Sequence, residues 1–158
     1  GDSVIGPISN QSQVKKHQQI IQTGGEQGAQ LVYEGGIEGN LVSPHIFIDV
    51  AENSDLAQQE SFGPILPILK ARDEAHALEL ANATEFGLSS AVCTSNIERG
   101  TAFAAQLDIG MTHINGISVA DQPNAPFGGE KNSGLGRFNG RWIFEEFTRT
   151  HWLTVPSE

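Results

Sequence analysis

Residues 65–115 read ILPILK ARDEAHALEL ANATEFGLSS AVCTSNIERG TAFAAQLDIG MTHIN, and this stretch decides the fold. Ile65 to Leu69 is apolar enough for a strand, and Pro67, lacking an N–H, favours an edge or a bulged position within it. Asp73 can cap a helix whose apolar stripe is Ala75, Leu78 and Ala81 and which ends at Phe86-Gly87. Leu88 to Thr94 reads as a second strand. Ser95 with Glu98 then makes a capping-box pattern for a helix through Phe103 and Leu107, stopping at Gly110 before a third strand, Met111 to Asn115. Strands alternating with helices need parallel pairing and crossover connections, so the expected fold class is α/β with a mostly parallel open sheet.

Before this stretch, Asn10 with Gln13 forms a capping pair, and Val14, His17 and Ile21 recur at helical spacing until Gly24-Gly25. Leu31 to Tyr33 and His45 to Val50 are β-prone runs, with turns expected at Gly35-Gly36, Gly39-Asn40 and Pro44. After it, residues 116–140 are rich in Gly, Pro, Asn and Ser, a long irregular segment of the kind that serves sites rather than scaffolding. Trp142 to Phe147 reads as a helix and Thr148 to Val155 as a β-prone tail.

The chain has 158 residues, enough for one domain with a real core. Its net charge of −10 repels polyphosphate and anionic lipid surfaces, which argues against nucleic acid or a membrane as partner. No apolar run reaches the roughly 18 residues of a bilayer span. A single cysteine, Cys93, fits a reducing cytoplasmic setting. Lying in the apolar run Ala91-Val92-Cys93, it is expected to be a small core hydrophobe rather than a nucleophile. The opening Gly1-Asp2-Ser3 without a methionine predicts that the chain is a piece of a longer protein.

Three apparent catalytic signals fail on context. Gly116-Ile117-Ser118-Val119-Ala120 lacks the second glycine of a nucleophile elbow. Gly134-Leu135-Gly136 has Gly140 one residue too late, and no preceding strand, for a dinucleotide-binding loop. The histidines, His17, His45, His76, His113 and His151, include no pair at the spacing that puts two imidazoles on one metal, so no metal site is expected.

Two other motifs carry a resemblance. Glu60-Ser61-Phe62-Gly63-Pro64 matches an E-x-F-G-P signature, and Pro126-Phe127-Gly128-Gly129 with Lys131, Ser133-Gly134 and Gly136-Arg137 matches P-F-G-G-x-K-x-S-G-x-G-R in order and spacing. In both, the chain resembles the C-terminal part of the NAD(P)-dependent aldehyde dehydrogenases, and the likeness extends through Gly6-Pro7, Glu85-Phe86-Gly87-Leu88 and the tail. Met111 to Asn115 with Phe138-Asn139-Gly140 is most similar to the benzaldehyde and vanillin dehydrogenase branch.

The resemblance implies a parent enzyme in which a thiolate attacks the aldehyde, hydride passes to NAD or NADP, and water releases the acid. The family's cysteine motif, general-base glutamate and nucleotide-binding domain have no counterpart in these residues, so the chain alone is expected to be inactive. It implies that Glu60 accepts hydrogen bonds from the nicotinamide-ribose hydroxyls, a role suited to an acceptor-only carboxylate facing a cis-diol. Phe62 would pack near the nicotinamide, with Gly63 and Pro64 setting the turn. Phe127 would line the aldehyde tunnel, and Ile117 and Val119 lie in the loop that varies with substrate; Asn115 is expected to be structural. The partition implied is 1–147, catalytic-domain portion, and 148–158, an oligomerisation strand for a homodimer or homotetramer. A non-catalytic oligomerisation or interaction module is the alternative.

Overall fold

Helix α1, Gln11–Glu26, begins as the capping pattern requires: Asn10 Oδ1 accepts from the Gln13 amide at 2.9 Å. Its inward face is Val14, His17, Ile20 and Gly24, so Ile20 rather than Ile21 faces the core directly. The helix runs through Gly24-Gly25 and gives way near Gly28, whose φ of 90° is left-handed. Gly24 serves packing instead, since a Cβ there would stand 2.5 Å from Leu56 Cδ1.

This computed structural model describes residues 5–157. Strand β1, Gln30–Glu34, pairs antiparallel with β4, His45–Ile48, which pairs parallel with β5, Ile65–Pro67. Pro67 is thus on an edge strand, where its missing donor costs no ladder bond. Between β1 and β4 lies a small hairpin, β2, Ile37–Glu38, with β3, Leu41–Val42, in the stretch expected to be turns only. Phe47, at 0% exposure, centres a cluster with Ile20, Ala29, Val50, Leu56 and Ile65. Leu56 comes from a one-turn helix, α2, Asp55–Gln58.

Helix α3, Glu74–Asn82, is capped by Asp73, whose Oδ1 accepts from the His76 amide at 2.8 Å. Ala75 is exposed and His76 is the buried residue, which corrects the expected stripe. The imidazole can be buried because both nitrogens are satisfied: Nδ1 accepts from the Arg72 amide at 3.2 Å and Nε2 lies 2.8 Å from Glu52 Oε1.

Strand β6, Phe86–Gly87, pairs antiparallel with β9, Glu130–Lys131, while β7, Ser89–Val92, pairs parallel with β8, Met111–Ile114. The crossover from β7 to β8 contains helix α4, Ile97–Ala104. Its cap is Asn96, accepting from the Arg99 amide at 2.9 Å, rather than Ser95. Cys93 follows β7 and is exposed, not a core residue: two residues after Ala91, it falls on the same, exposed face of the run. Helix α5 spans Trp142–Phe147 as expected. Residues 148–157 carry no helix or intrachain strand pairing.

The class is α/β, and among the described residues the sheets are mixed rather than mostly parallel. Parallel pairing joins β4 to β5 and β7 to β8, but β1 and β9 enter antiparallel. The chain divides into two compact units, Gly1–Leu80 and Ala81–Glu158. Among the described residues every buried apolar side chain lies in the first.

Candidate functional site

In the first unit the segment Glu60–Pro64 leaves α2 and enters β5, and the first half of α1 holds it by its backbone. Gln13 Nε2 donates to the Ser61 carbonyl at 2.8 Å, and His17 Nε2 lies 2.9 Å from the same oxygen. Lys16 Nζ donates to the Glu60 carbonyl at 3.1 Å and stands 6.0 Å from the Phe62 ring centroid, at the outer limit of a cation–π contact. Sequence reading gave Gln13 only a role at the helix cap and did not single out Lys16, while His17, a histidine on an apolar helical stripe, was the available signal that a polar partner waits inside.

With its backbone held, the loop presents its side chains outward. Phe62 is 68% exposed and has a φ of 51°, a left-handed conformation rare for a bulky residue. Such strain persists where surroundings over-determine it, commonly at ligand sites. The positive φ is Phe62's and not Gly63's, so the turn is set one residue earlier than the sequence implied. Glu60 is exposed, and its carboxylate has no hydrogen-bond or ion-pair partner among the described residues. A free carboxylate beside an uncovered ring fits a ligand offering hydroxyl donors and a flat face. An open cleft of about 560 Å³ in the same unit, lined by residues such as Asp49, Glu52 and Lys70, does not include them.

In the second unit the P-F-G-G segment is a clasp. Phe127 and Phe138 exchange backbone hydrogen bonds, 3.0 Å from the Phe127 amide and 2.7 Å from that of Phe138. Lys131 Nζ donates to the carbonyls of Asn82 at 2.9 Å and Thr84 at 3.1 Å, and Ser133 Oγ accepts from the Gly87 amide at 2.9 Å. Arg137 Nη1 donates to the Gly129 and Gly136 carbonyls, and its Nη2 pairs with Glu130. Arg137 thus closes the segment on itself, while Lys131 ties it to the end of α3. Phe127 is half-buried, whereas Ile117 and Val119 are 72% and 84% exposed. Asn115 bonds Thr94, which makes it the structural residue expected. Among the described residues no cluster of His, Cys, Asp and Glu could hold a metal ion, and no helix is long and apolar enough to cross a membrane.

Known proteins resemble the chain in sequence and in fold. The vanillin dehydrogenase of Corynebacterium glutamicum is 50% identical over 153 residues, covering 97% of this chain and 32% of that protein. A salicylaldehyde dehydrogenase from Pseudomonas putida, solved with salicylaldehyde, superposes with a TM-score of 0.94 at 34% identity over 100% of this chain and 33% of its own. A Mycobacterium tuberculosis aldehyde dehydrogenase complexed with NAD+ gives a TM-score of 0.84 at 37% identity over 92% of this chain and 31% of its own. The chain thus spans about a third of the length of the relatives it matches. The model of the aldehyde dehydrogenase family matches residues 1–153, and the chain belongs to that family.

Proposed function

We propose that this chain is the C-terminal part of a cytoplasmic enzyme that oxidises aldehydes, aromatic ones among them, to carboxylic acids with NAD or NADP. The observation that carries the reading is the Glu60–Pro64 loop, whose backbone is engaged by α1 while the Glu60 carboxylate and the Phe62 ring stay open. When bound, the nicotinamide cofactor accepts the hydride. Glu60 accepts hydrogen bonds from the two hydroxyls of its ribose, and a charged acceptor makes these stronger than an amide could. Phe62 offers a ring face that excludes water from one side of the reacting end. Phe127, Ile117 and Val119 contribute apolar surface for the aldehyde, in keeping with the aromatic substrates named for the relatives.

The second unit has no buried apolar side chain among the described residues, while Leu88, Ile97, Phe144, Phe147, Trp152, Leu153 and Val155 are exposed. That surface is what one expects of a portion that packs against the rest of a protein and against another subunit. The test is oxidation of vanillin and benzaldehyde by the complete protein containing this chain, with NAD and with NADP. No turnover of any aldehyde by a folded, cofactor-binding protein would refute the reading. The chain by itself lacks the nucleophile and general base and is expected to show none; activity abolished by Cys93→Ser would contradict that.

A further inference from the structure

His17 is fully buried, at 0% exposure, and none of the chemistry described above uses it. Its Nε2 lies 2.9 Å from the carbonyl of Ser61, the residue between Glu60 and Phe62. Gln13 donates to the same oxygen at 2.8 Å, so that one carbonyl takes two donors from one helix face. Gln13 Nε2 also lies 3.2 Å from His17 Nε2, and the tautomer that gives the Ser61 carbonyl a hydrogen bond from the ring carries its proton on Nε2. Nδ1 is then a buried acceptor without a partner among the described residues. An apolar side chain would avoid that penalty, so what the imidazole adds is its Nε2–H.

The ring also explains the glycine of the motif. A Cβ on Gly63 would stand 2.1 Å from His17 Cε1 and 2.2 Å from Nε2. Gly63 is not in the left-handed region, where Phe62 is, so it is required for room rather than for backbone freedom. One side chain therefore meets the loop twice, by a hydrogen bond before Phe62 and by close packing after it.

We propose that His17 is a positioning residue: through the Ser61 carbonyl and the face of Gly63 it fixes the left-handed Phe62 conformation and so directs the Glu60 carboxylate. This rests on the reading of Glu60 as the ribose ligand. A loop free to relax at Phe62 would still bind cofactor through contacts elsewhere, but would hold the reacting end in more than one orientation. Hydride transfer is sensitive to that and overall affinity is not.

The experiment uses the complete protein with His17→Leu, His17→Gln and Glu60→Gln. Three quantities are read: NAD or NADP affinity, single-turnover hydride transfer from vanillin, and the rate at which thermolysin nicks the Ser61–Phe62 bond. His17→Leu should fold, slow hydride transfer about tenfold, change affinity less than about twofold and speed nicking severalfold. His17→Gln, whose amide can reach the Ser61 carbonyl, should recover most of the loss. Unchanged nicking in a folded His17→Leu protein overturns the proposal, as does faster nicking with unchanged hydride transfer while Glu60→Gln slows it. If hydride transfer is untouched by either His17→Leu or Glu60→Gln although nicking accelerates, the ribose reading has failed and takes the proposal with it, leaving only the loop contact. Where His17→Leu does not fold, Gly63→Ala displaces the same ring from the loop side and is read by the same measurements.

Discussion

Asn115 holds both backbone groups of Thr94: its Oδ1 accepts from the Thr94 amide at 2.8 Å, and its Nδ2 donates to the Thr94 carbonyl at 2.8 Å. The pair lies just beyond the last rung of β7 and β8, where a parallel ladder would otherwise fray. Asn115 has a φ of 54°, a conformation asparagine tolerates better than most residues. Replacing Asn115 by Gly keeps that conformation and removes the bonds, so it should cost about 1–2 kcal/mol of stability. Asn115→Val adds strain and should cost roughly 1 kcal/mol more. Melting of the complete protein reads both; coincident curves for Asn115→Gly and the parent would leave the amide pair without energetic weight.

Gly110 stands closer to another backbone than any side chain would allow. A Cβ there would be 1.7 Å from the Gly128 carbonyl oxygen. Neither partner can yield without opening the P-F-G-G clasp, so Gly110→Ala should destabilise by about 3 kcal/mol or more. Loss of soluble expression or a large fall in the urea midpoint is expected. A variant that folds normally would mean the clasp is looser than the distance implies.

Glu60→Gln keeps the size of the side chain and one acceptor but loses the charge. Hydride transfer should fall about tenfold or more, with a smaller change in cofactor affinity. Deuterated aldehyde exposes that step as an isotope effect. An unaltered single-turnover rate removes Glu60 from the cofactor site.

The tail exposes Trp152, Leu153 and Val155 at 86%, 77% and 80%. Thr148, Thr150, Trp152 and Thr154 alternate with Arg149, His151, Leu153 and Val155, a β-prone run with no strand partner among the described residues. If residues 148–158 join a homodimer or homotetramer, as the proposed reading has it, their deletion should leave monomers or aggregates of the complete protein in sedimentation experiments. An intact, soluble oligomer after that deletion would show that the joint lies elsewhere.

The sequence by itself determined what is local. Asn10 and Asp73 cap as their spacing requires, Pro67 sits on an edge, α5 has its expected bounds, and the two signature motifs pointed to the family. These follow from side-chain reach within a few residues or from matched spacing. Tertiary structure decided the rest. Whether β1 pairs antiparallel with β4, whether Glu130–Lys131 returns to pair with Phe86–Gly87, and whether Cys93 is covered all depend on segments distant in the chain. The same is true of His17: its helical position was legible, but the carbonyl it meets is 44 residues away. Pairing over such separations is set by the competition of whole strands and faces for burial, and no local pattern of residues encodes the winner.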